Sequence, residues 1–321
     1  MLFARLRRAS TRQERAKPLS IRHSLTKYTA DNQSQFVVDL VIALREEKFS
    51  PQGWQHFIVR SWEMSWHTAQ AHPRLRHSWV RLTLLIAMLA LAIVLASLFF
   101  EGPGTTTHLL PGFLFCVVWQ QSDLFWHLGL NRQVKTGELL PTVGIANTLT
   151  WLRALGASYL LGRLIGGVST PSWLALLVFL SGVVTDVLDG QVARYTQTQS
   201  KLGQIGDGET DFCLYSAIAV VLTQNGVLPL WLEIVMLLRF LAPLFAAVGS
   251  YFLFARPLRF GSTVWGKYAG LAQCFYFLAL LAPRQLAFIT RFIDLPLLIV
   301  TLVLLFVAPV VQLGEHLRSN A

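Results

Sequence analysis

The sequence predicts an all-helical integral membrane protein that crosses the bilayer many times, on three observations. Hydrophobic residues make up 54% of the 321 and charged residues only 14%, where soluble chains carry about 25% charge. Several apolar runs reach the roughly 20 residues a helix needs to cross a bilayer. The charge is also segregated, with 13 of the 27 Lys and Arg lying before Ser78, ahead of the first long apolar run. This composition excludes a disordered chain and argues against a soluble enzyme. The net charge of +10, placed beside apolar runs, points to anionic lipid headgroups and not to nucleic acid.

Residues 1–78 read as a basic, partly helical section on the cytoplasmic or interfacial side. Arg5, Arg7, Arg8, Arg12, Arg15 and Lys17 crowd its start, and no apolar core of a cleaved signal peptide is present there. Phe36, Leu40 and Leu44 recur every four residues and predict a first helix. Ser50-Pro51 predicts the start of a second, with Ser capping and Pro at the first helical position. Trp54, Ile58, Trp62 and Trp66 then share one stripe. It suits either the core face of a small helical hairpin or an interfacial helix with Trp at headgroup level.

Residues 79–138 hold two spans, 79–100 and 109–130, joined by Glu101-Gly-Pro-Gly. The second is weakened by Gln120, Gln121, Asp123 and His127. Asp123 and His127, four apart, could form a second metal or proton site, or simply pair with each other. Asn131 to Glu138 reads as a polar loop. Residues 139–321 hold six further spans, at about 144–166, 172–190, 207–227, 229–254, 267–283 and 294–313. If the eight alternate, Arg132, Lys135, Arg194, Lys201, Arg256, Arg259, Lys267 and Arg318 fall on one side with the N-terminal section. The positive-inside rule makes that side, and both termini, cytoplasmic. Cys116, Cys213 and Cys274 have no metal-ligand or redox spacing and read as buried free thiols. Glu233 and Arg239 could pair inside the bundle, and Glu209 reads as solvated.

Four aspartates in 26 residues carry the chemistry. Asp186 and Asp189 are three apart on one predicted helix, and Asp207 and Asp211 are four apart on the next. Either spacing puts the pair on one helical face. A short hairpin brings the two faces together near the cytoplasmic surface. Four carboxylates repel one another unless neutralised. Two hard divalent cations would balance them, and all-oxygen ligation suits Mg²⁺ or Mn²⁺. Such a pair of ions serves phosphoryl chemistry. Gly190 and Ala193 lie four residues after Asp186 and Asp189, which leaves the surface beside them bare for a flat ligand. Arg194 supplies a planar cation for phosphate, and Ser200 and Gly203 lie in the loop. Together these features suggest a nucleoside diphosphate.

The segment resembles, position for position, the D-x2-D-G-x2-A-R-x8-G-x3-D-x3-D signature of the CDP-alcohol phosphotransferase family, in Asp186, Asp189, Gly190, Ala193, Arg194, Gly203, Asp207 and Asp211. Asn147, Thr150 and Arg153 resemble the N-x-x-T-x-x-R start of the family's first core helix. Gly266, Lys267 and Gln273 resemble the G-K-x-K-T-x-x-Q start of its fifth. The resemblance covers about residues 140–315. It implies a six-helix membrane bundle, here preceded by two additional spans, with a cavity open to the cytoplasm. It implies transfer of a phosphoalcohol from a CDP-alcohol to a second alcohol, releasing CMP. Asp186, Asp189, Asp207 and Asp211 would hold two metal ions, and Asp211 would also act as base on the acceptor hydroxyl. Gly190, Ala193, Arg194, Ser200 and Gly203 would line the CDP site, with Asn147 and Thr150 facing it and Lys267 nearby. A homodimer is implied as well. The chain departs from the pattern at Gly206, before Asp207, where a large apolar residue is usual. It departs again at Ala269, where many members carry a second lysine.

The expected activity is phospholipid synthesis from CDP-diacylglycerol and a small polar alcohol, in the plasma or inner membrane if the source is bacterial. The rivals are transfer from CDP-choline or CDP-ethanolamine to diacylglycerol and, in a different class, divalent-cation transport through intramembrane carboxylates.

Overall fold

The computed structural model describes residues 33–254, 264–283, 285 and 287–319. The basic run at the N-terminus, Arg256 and Arg259 lie outside the described residues. Ten α-helices are seen among the described residues: α1 (Gln33–Glu46), α2 (Pro51–Ala71), α3 (Pro73–Phe100), α4 (Gly102–Trp126), α5 (Gly144–Ile165), α6 (Ser172–Tyr195), α7 (Lys201–Gln224), α8 (Leu230–Phe254), α9 (Val264–Leu281) and α10 (Ala287–Ser319). A 3-10 turn, Leu128–Leu130, follows α4.

Local chemistry sets the helix ends. The Ser50 hydroxyl accepts from the Gly53 N–H at 3.1 Å, with Pro51 in the first turn of α2. Leu40 and Leu44 of α1 are buried, as their spacing predicts. Glu101 closes α3, and Gly102, at φ +85°, adopts the left-handed conformation that lets α4 begin at once. The expected span boundaries mark only the apolar middle of several helices. Thus α6 continues past Asp189 to Tyr195, and α7 begins at Lys201, ahead of Asp207.

Three helical segments among the described residues are long and apolar enough to cross a membrane: Pro73–Phe100, Ser172–Tyr195 and Phe292–Pro309. Others carry polar groups that turn inward. Buried Gln120 of α4 donates to the Trp151 carbonyl at 2.7 Å and accepts from Ser158 at 3.3 Å, both on α5. This explains why the α4 run looked weak as a span: its amide is satisfied by a neighbouring helix.

Helix α5 lies between two apolar clusters. Trp151, Ala154 and Leu155 pack with residues of α3 and α4, including Leu82, Ile86 and Phe113. Ala157 and Leu160 pack with α6, α7 and α9, including Phe179, Ile218 and Phe277. Where α4 crosses α5, a Cβ on Gly162 would meet the Phe113 Cα at 2.6 Å, so the two backbones can approach only because glycine is there. At the far end, the buried Arg163 guanidinium donates to both Glu101 oxygens at 2.7 and 2.8 Å and to the Ser169 carbonyl at 2.6 Å. This clamp ties the α3–α4 corner to the end of α5.

Candidate active site

The turn between α6 and α7 is short and closely held. The Thr198 N–H bonds the Ala193 carbonyl at 3.0 Å, and Gln197 adopts φ +54°. Ser200 caps α7 by accepting from the Gly203 N–H at 3.0 Å. The segment after α4 lies along this turn: Val134 N–H bonds Gln199 O at 2.9 Å, Lys201 N–H bonds Arg132 O at 3.0 Å, and the Gln133 amide bonds Gln197 O at 2.8 Å. Ser200 and Gly203, expected in a loop, therefore stand at the start of a helix.

The two aspartate pairs meet around Arg153 of α5, whose side chain is completely buried. Its guanidinium lies 2.6 Å from Asp186, 3.4 Å from Asp189 and 3.4 Å from Asp211, and it also bonds Asp207. It further donates to Thr210 at 3.3 Å. Asp186, Asp207 and Asp211 each place an oxygen within 4.8 Å of the others'. Asp189 is buried and accepts from the Thr150 hydroxyl at 3.0 Å. Four carboxylates against one guanidinium leave three formal negative charges uncompensated. This donor set is all oxygen, negative and convergent, so it fits a hard divalent cation. Asp186, Asp207 and Asp211 are the residues best arranged to hold one, with Asp189 turned towards Thr150.

The remaining predicted residues fall around this cluster. Asn147 is buried and donates to Ser200 Oγ at 3.2 Å and to the Val143 carbonyl at 2.7 Å. A Cβ on Gly203 would lie 2.5 Å from Asn147 Oδ1, so glycine is required where α5 and α7 touch. Exposed Arg194 folds its guanidinium over Gly190 on the same helix, and Ala193 is half-buried beside them. Lys267 of α9 lines a pocket of about 270 Å³ with Arg153, Asp186 and Asp211 on one side. Gly182, Val183, Leu214 and Leu271 form its apolar wall.

Three features went beyond the sequence reading. Arg153 was recognised only as part of a motif, yet it is the cation common to all four aspartates. A buried charge in the middle of a hydrophobic helix was the available signal. Asn131 is fully buried and donates to the carbonyls of Leu140 and Thr142 at 3.3 and 2.8 Å, while its Oδ1 accepts from Asn147 at 3.3 Å. It is a structural bracket at the end of α4, where a polar loop was expected. Glu209 is exposed, but it lies near Asp123 and His127, with all three ligand atoms within 4.8 Å of one another. Two residues from both Asp207 and Asp211, it faces the opposite side of α7, where α4 ends. His127 pairs with Asp123 at 3.1 Å. Arg239 donates to Gln273 at 3.0 Å. It does not pair with Glu233, because a spacing of six residues turns the two onto different faces of α8.

Comparisons with known proteins match the part of the chain that carries the aspartates. The profile described as CDP-alcohol phosphatidyltransferase matches residues 143–308, just over half of the chain. A cardiolipin synthase (CMP-forming) of Streptomyces coelicolor is 36% identical over 113 residues, which cover 34% of this chain and 51% of that protein. The chain thus matches about half the length of this curated relative. No solved structure matches it. The signature aspartates sit inside the matched region, on consecutive helices that meet around one buried arginine. On this basis the chain belongs to the CDP-alcohol phosphatidyltransferase family.

Proposed function

We propose that the protein transfers a phosphatidyl group from CDP-diacylglycerol to the hydroxyl of an acceptor alcohol, releasing CMP. The observation that carries this reading is the convergence of Asp186, Asp207 and Asp211 around Arg153, with Asp186 and Asp211 lining the Lys267 pocket. Family membership and the printed name of the relative, a CMP-forming synthase, support it.

In this reading Asp186, Asp207 and Asp211, with Asp189 behind them, would hold two divalent ions, Mg²⁺ or Mn²⁺. Bound cations would neutralise the donor pyrophosphate and stabilise the departing CMP. Arg153 keeps the carboxylates together and limits their repulsion. Gly190, Ala193, Arg194, Ser200 and Gly203, with Asn147 and Thr150 behind, form the cytidine diphosphate site. Asp211 accepts the proton as the acceptor oxygen forms its bond to the phosphatidyl phosphorus. The phosphorus–oxygen bond to CMP breaks, and the pair of electrons leaves with CMP. Lys267 steadies negative charge at the pocket. The apolar wall of Val183, Leu214 and Leu271 leaves room for an acceptor with apolar character.

The same reading places eight spans in the membrane, residues 139–321 as the catalytic six, and the active site and both termini in the cytoplasm. A homodimer is the proposed assembly. The direct test is CMP release by purified protein given CDP-diacylglycerol, Mg²⁺ and a panel of acceptors from glycerol phosphate to phosphatidylglycerol, with Asp211→Asn alongside. Acceptor-dependent CMP from the wild type alone supports the reading and names the acceptor. CMP only with CDP-choline or CDP-ethanolamine and diacylglycerol would reverse the placement of the lipid. No CMP from any pair would leave metal transport as the reading to pursue.

A further inference from the structure

Helix α2 has a face that the proposed reaction does not use. It spans 21 residues, long enough to cross a bilayer, but Gln52, Gln55, His56, Arg60, Glu63, His67 and Gln70 make it too polar to do so. Its buried stripe consists of small residues: Gly53, Ser61, Ser65 and Ala69. This stripe docks at the end of α4. Ser65 Oγ donates to the Trp126 carbonyl at 2.5 Å, and the Trp126 indole donates to Ser61 Oγ at 2.9 Å. Next to that stripe lie Ile58, Val59, Trp62 and Trp66, which remain 48%, 47%, 40% and 53% exposed. Trp62 still touches Phe125, with ring centroids 4.9 Å apart. His56, Arg60, Glu63 and His67 follow Val59 around the helix and make its charged side, with Gln55 among the tryptophans.

Two observations identify what covers this face. First, α2 runs through His72 directly into α3, whose exposed Leu84, Met88 and Leu91 belong to a helix apolar enough to cross a membrane. The apolar surface of α2 therefore continues into a lipid-facing one. Second, Arg60, Arg74, Arg76 and Arg81 stand against Glu63 alone between residues 51 and 81, a balance that suits anionic headgroups. A helix with one apolar and one charged face, rich in Trp, lies in the plane of the interface.

We propose that α2 is a membrane-surface helix, with the Ile58–Val59–Trp62–Trp66 face resting among anionic lipid headgroups at the end of the bundle that carries the aspartates. Its position bears on the site. Through the end of α4 it adjoins the 3-10 turn and Asn131, which bonds Asn147, which in turn bonds Ser200. The helix would thus fix the depth at which the α6–α7 turn meets the headgroups. This goes beyond the proposed chemistry and does not depend on it.

The test is nitroxide scanning of the full chain in phosphatidylethanolamine–phosphatidylglycerol vesicles, in a background with Cys116, Cys213 and Cys274 replaced by serine or alanine. Single cysteines replace Ile58, Trp62, His56 and His67, and collision with oxygen is compared with collision with a nickel chelate. The expected result is oxygen-dominated collision at 58 and 62 and nickel-dominated collision at 56 and 67. The pattern should follow the helical period. Nickel-dominated collision at all four positions would show a face open to water and overturn the proposal. Labels at 58 and 62 that are immobilised and shielded from both agents would show protein covering the face, a second copy among the options, and would overturn it equally. Loss of the helical pattern with retained thermal unfolding would also count against it.

Discussion

Replacing Arg153 by Met asks how much one guanidinium contributes to holding the carboxylate cluster. The side chain is wholly buried, with Asp186, Asp189, Asp207 and Asp211 all within ion-pair reach. Removing one partner of a buried pair costs about 3–5 kcal/mol. Asp186 and Asp207 are 45% and 44% exposed, so water screens part of their share. The lower figure, about 3 kcal/mol, is therefore expected. At about 2–4 °C per kcal/mol for a domain of this size, the unfolding midpoint falls by about 6–12 °C. Without the arginine no side chain among the described residues is ion-paired to the cluster, so a divalent ion gains more by binding there than it does in the wild type. The loss is accordingly full in EDTA and largely reversed by Mg²⁺. Arg153→Lys falls between the two, because a single ammonium cannot span carboxylates on two helices as a planar fork does. Differential scanning fluorimetry on the native tryptophans, with and without Mg²⁺, reads every variant. Equal midpoints for Arg153→Met and wild type in EDTA, or a loss that Mg²⁺ leaves untouched, would refute the reasoning.

Asp211→Asn is expected to lower CMP release by about 10²–10⁴-fold through loss of the base. Its unfolding midpoint in EDTA should hold or rise, because one of four mutually repelling charges is gone; a fall in that midpoint would assign Asp211 a structural role instead. Gly203→Ala forces a Cβ against Asn147 Oδ1. It should cost about 1–3 kcal/mol of stability and raise the KM for the CDP donor more than it lowers kcat, as steady-state kinetics can show. Glu101→Ala strands buried Arg163 and should destabilise by about 3 kcal/mol. The double variant Glu101→Leu/Arg163→Met should recover much of that loss, which a thermal midpoint series would reveal. Val134→Pro removes the N–H bonded to Gln199. Losing about 1 kcal/mol from the turn should raise the donor KM several-fold and leave the midpoint nearly unchanged.

What the sequence disclosed was what depends on spacing along one helix. The i, i+3 and i, i+4 aspartate pairs, the Ser50–Pro51 helix start and the Leu40–Leu44 repeat are local patterns, and each takes the form its spacing dictates. The part hidden from the sequence depends on which helices touch. Arg153 lies 33 residues from Asp186 and 58 from Asp211, and no periodicity reports that it stands between them. Hydropathy likewise marks where lipid surrounds a helix, not where the helix ends. The polar start of α7 at Lys201 was therefore read as loop, although it carries Gly203 of the signature. Gly206, where the chain departs from the family pattern, does not break α7, which runs unbroken through it and through Gly208. Packing against Trp151 and the Ser200 cap supply the order that glycine propensity withholds.

The position of the α6–α7 turn bears on how the N-terminal helices should be understood. Thr196, Gln197 and Gln199 of this turn are exposed, so no apolar burial of their own fixes their conformation. The order comes instead from backbone and amide bonds to residues 132–134, which the N-terminal helices deliver. Asn131, Asn147 and Ser200 continue the same line of bonds inward to the cap of the helix that carries Asp207 and Asp211. The family profile begins at residue 143, but these contacts begin earlier. A boundary drawn near residue 139 would cut through the bonds that hold the turn ahead of α7. Helix α5 makes the same point from within the core, because its Trp151–Leu155 side is buried only when α3 and α4 are present. The smallest piece of this chain expected to keep the aspartate geometry therefore starts with α3 and not with α5.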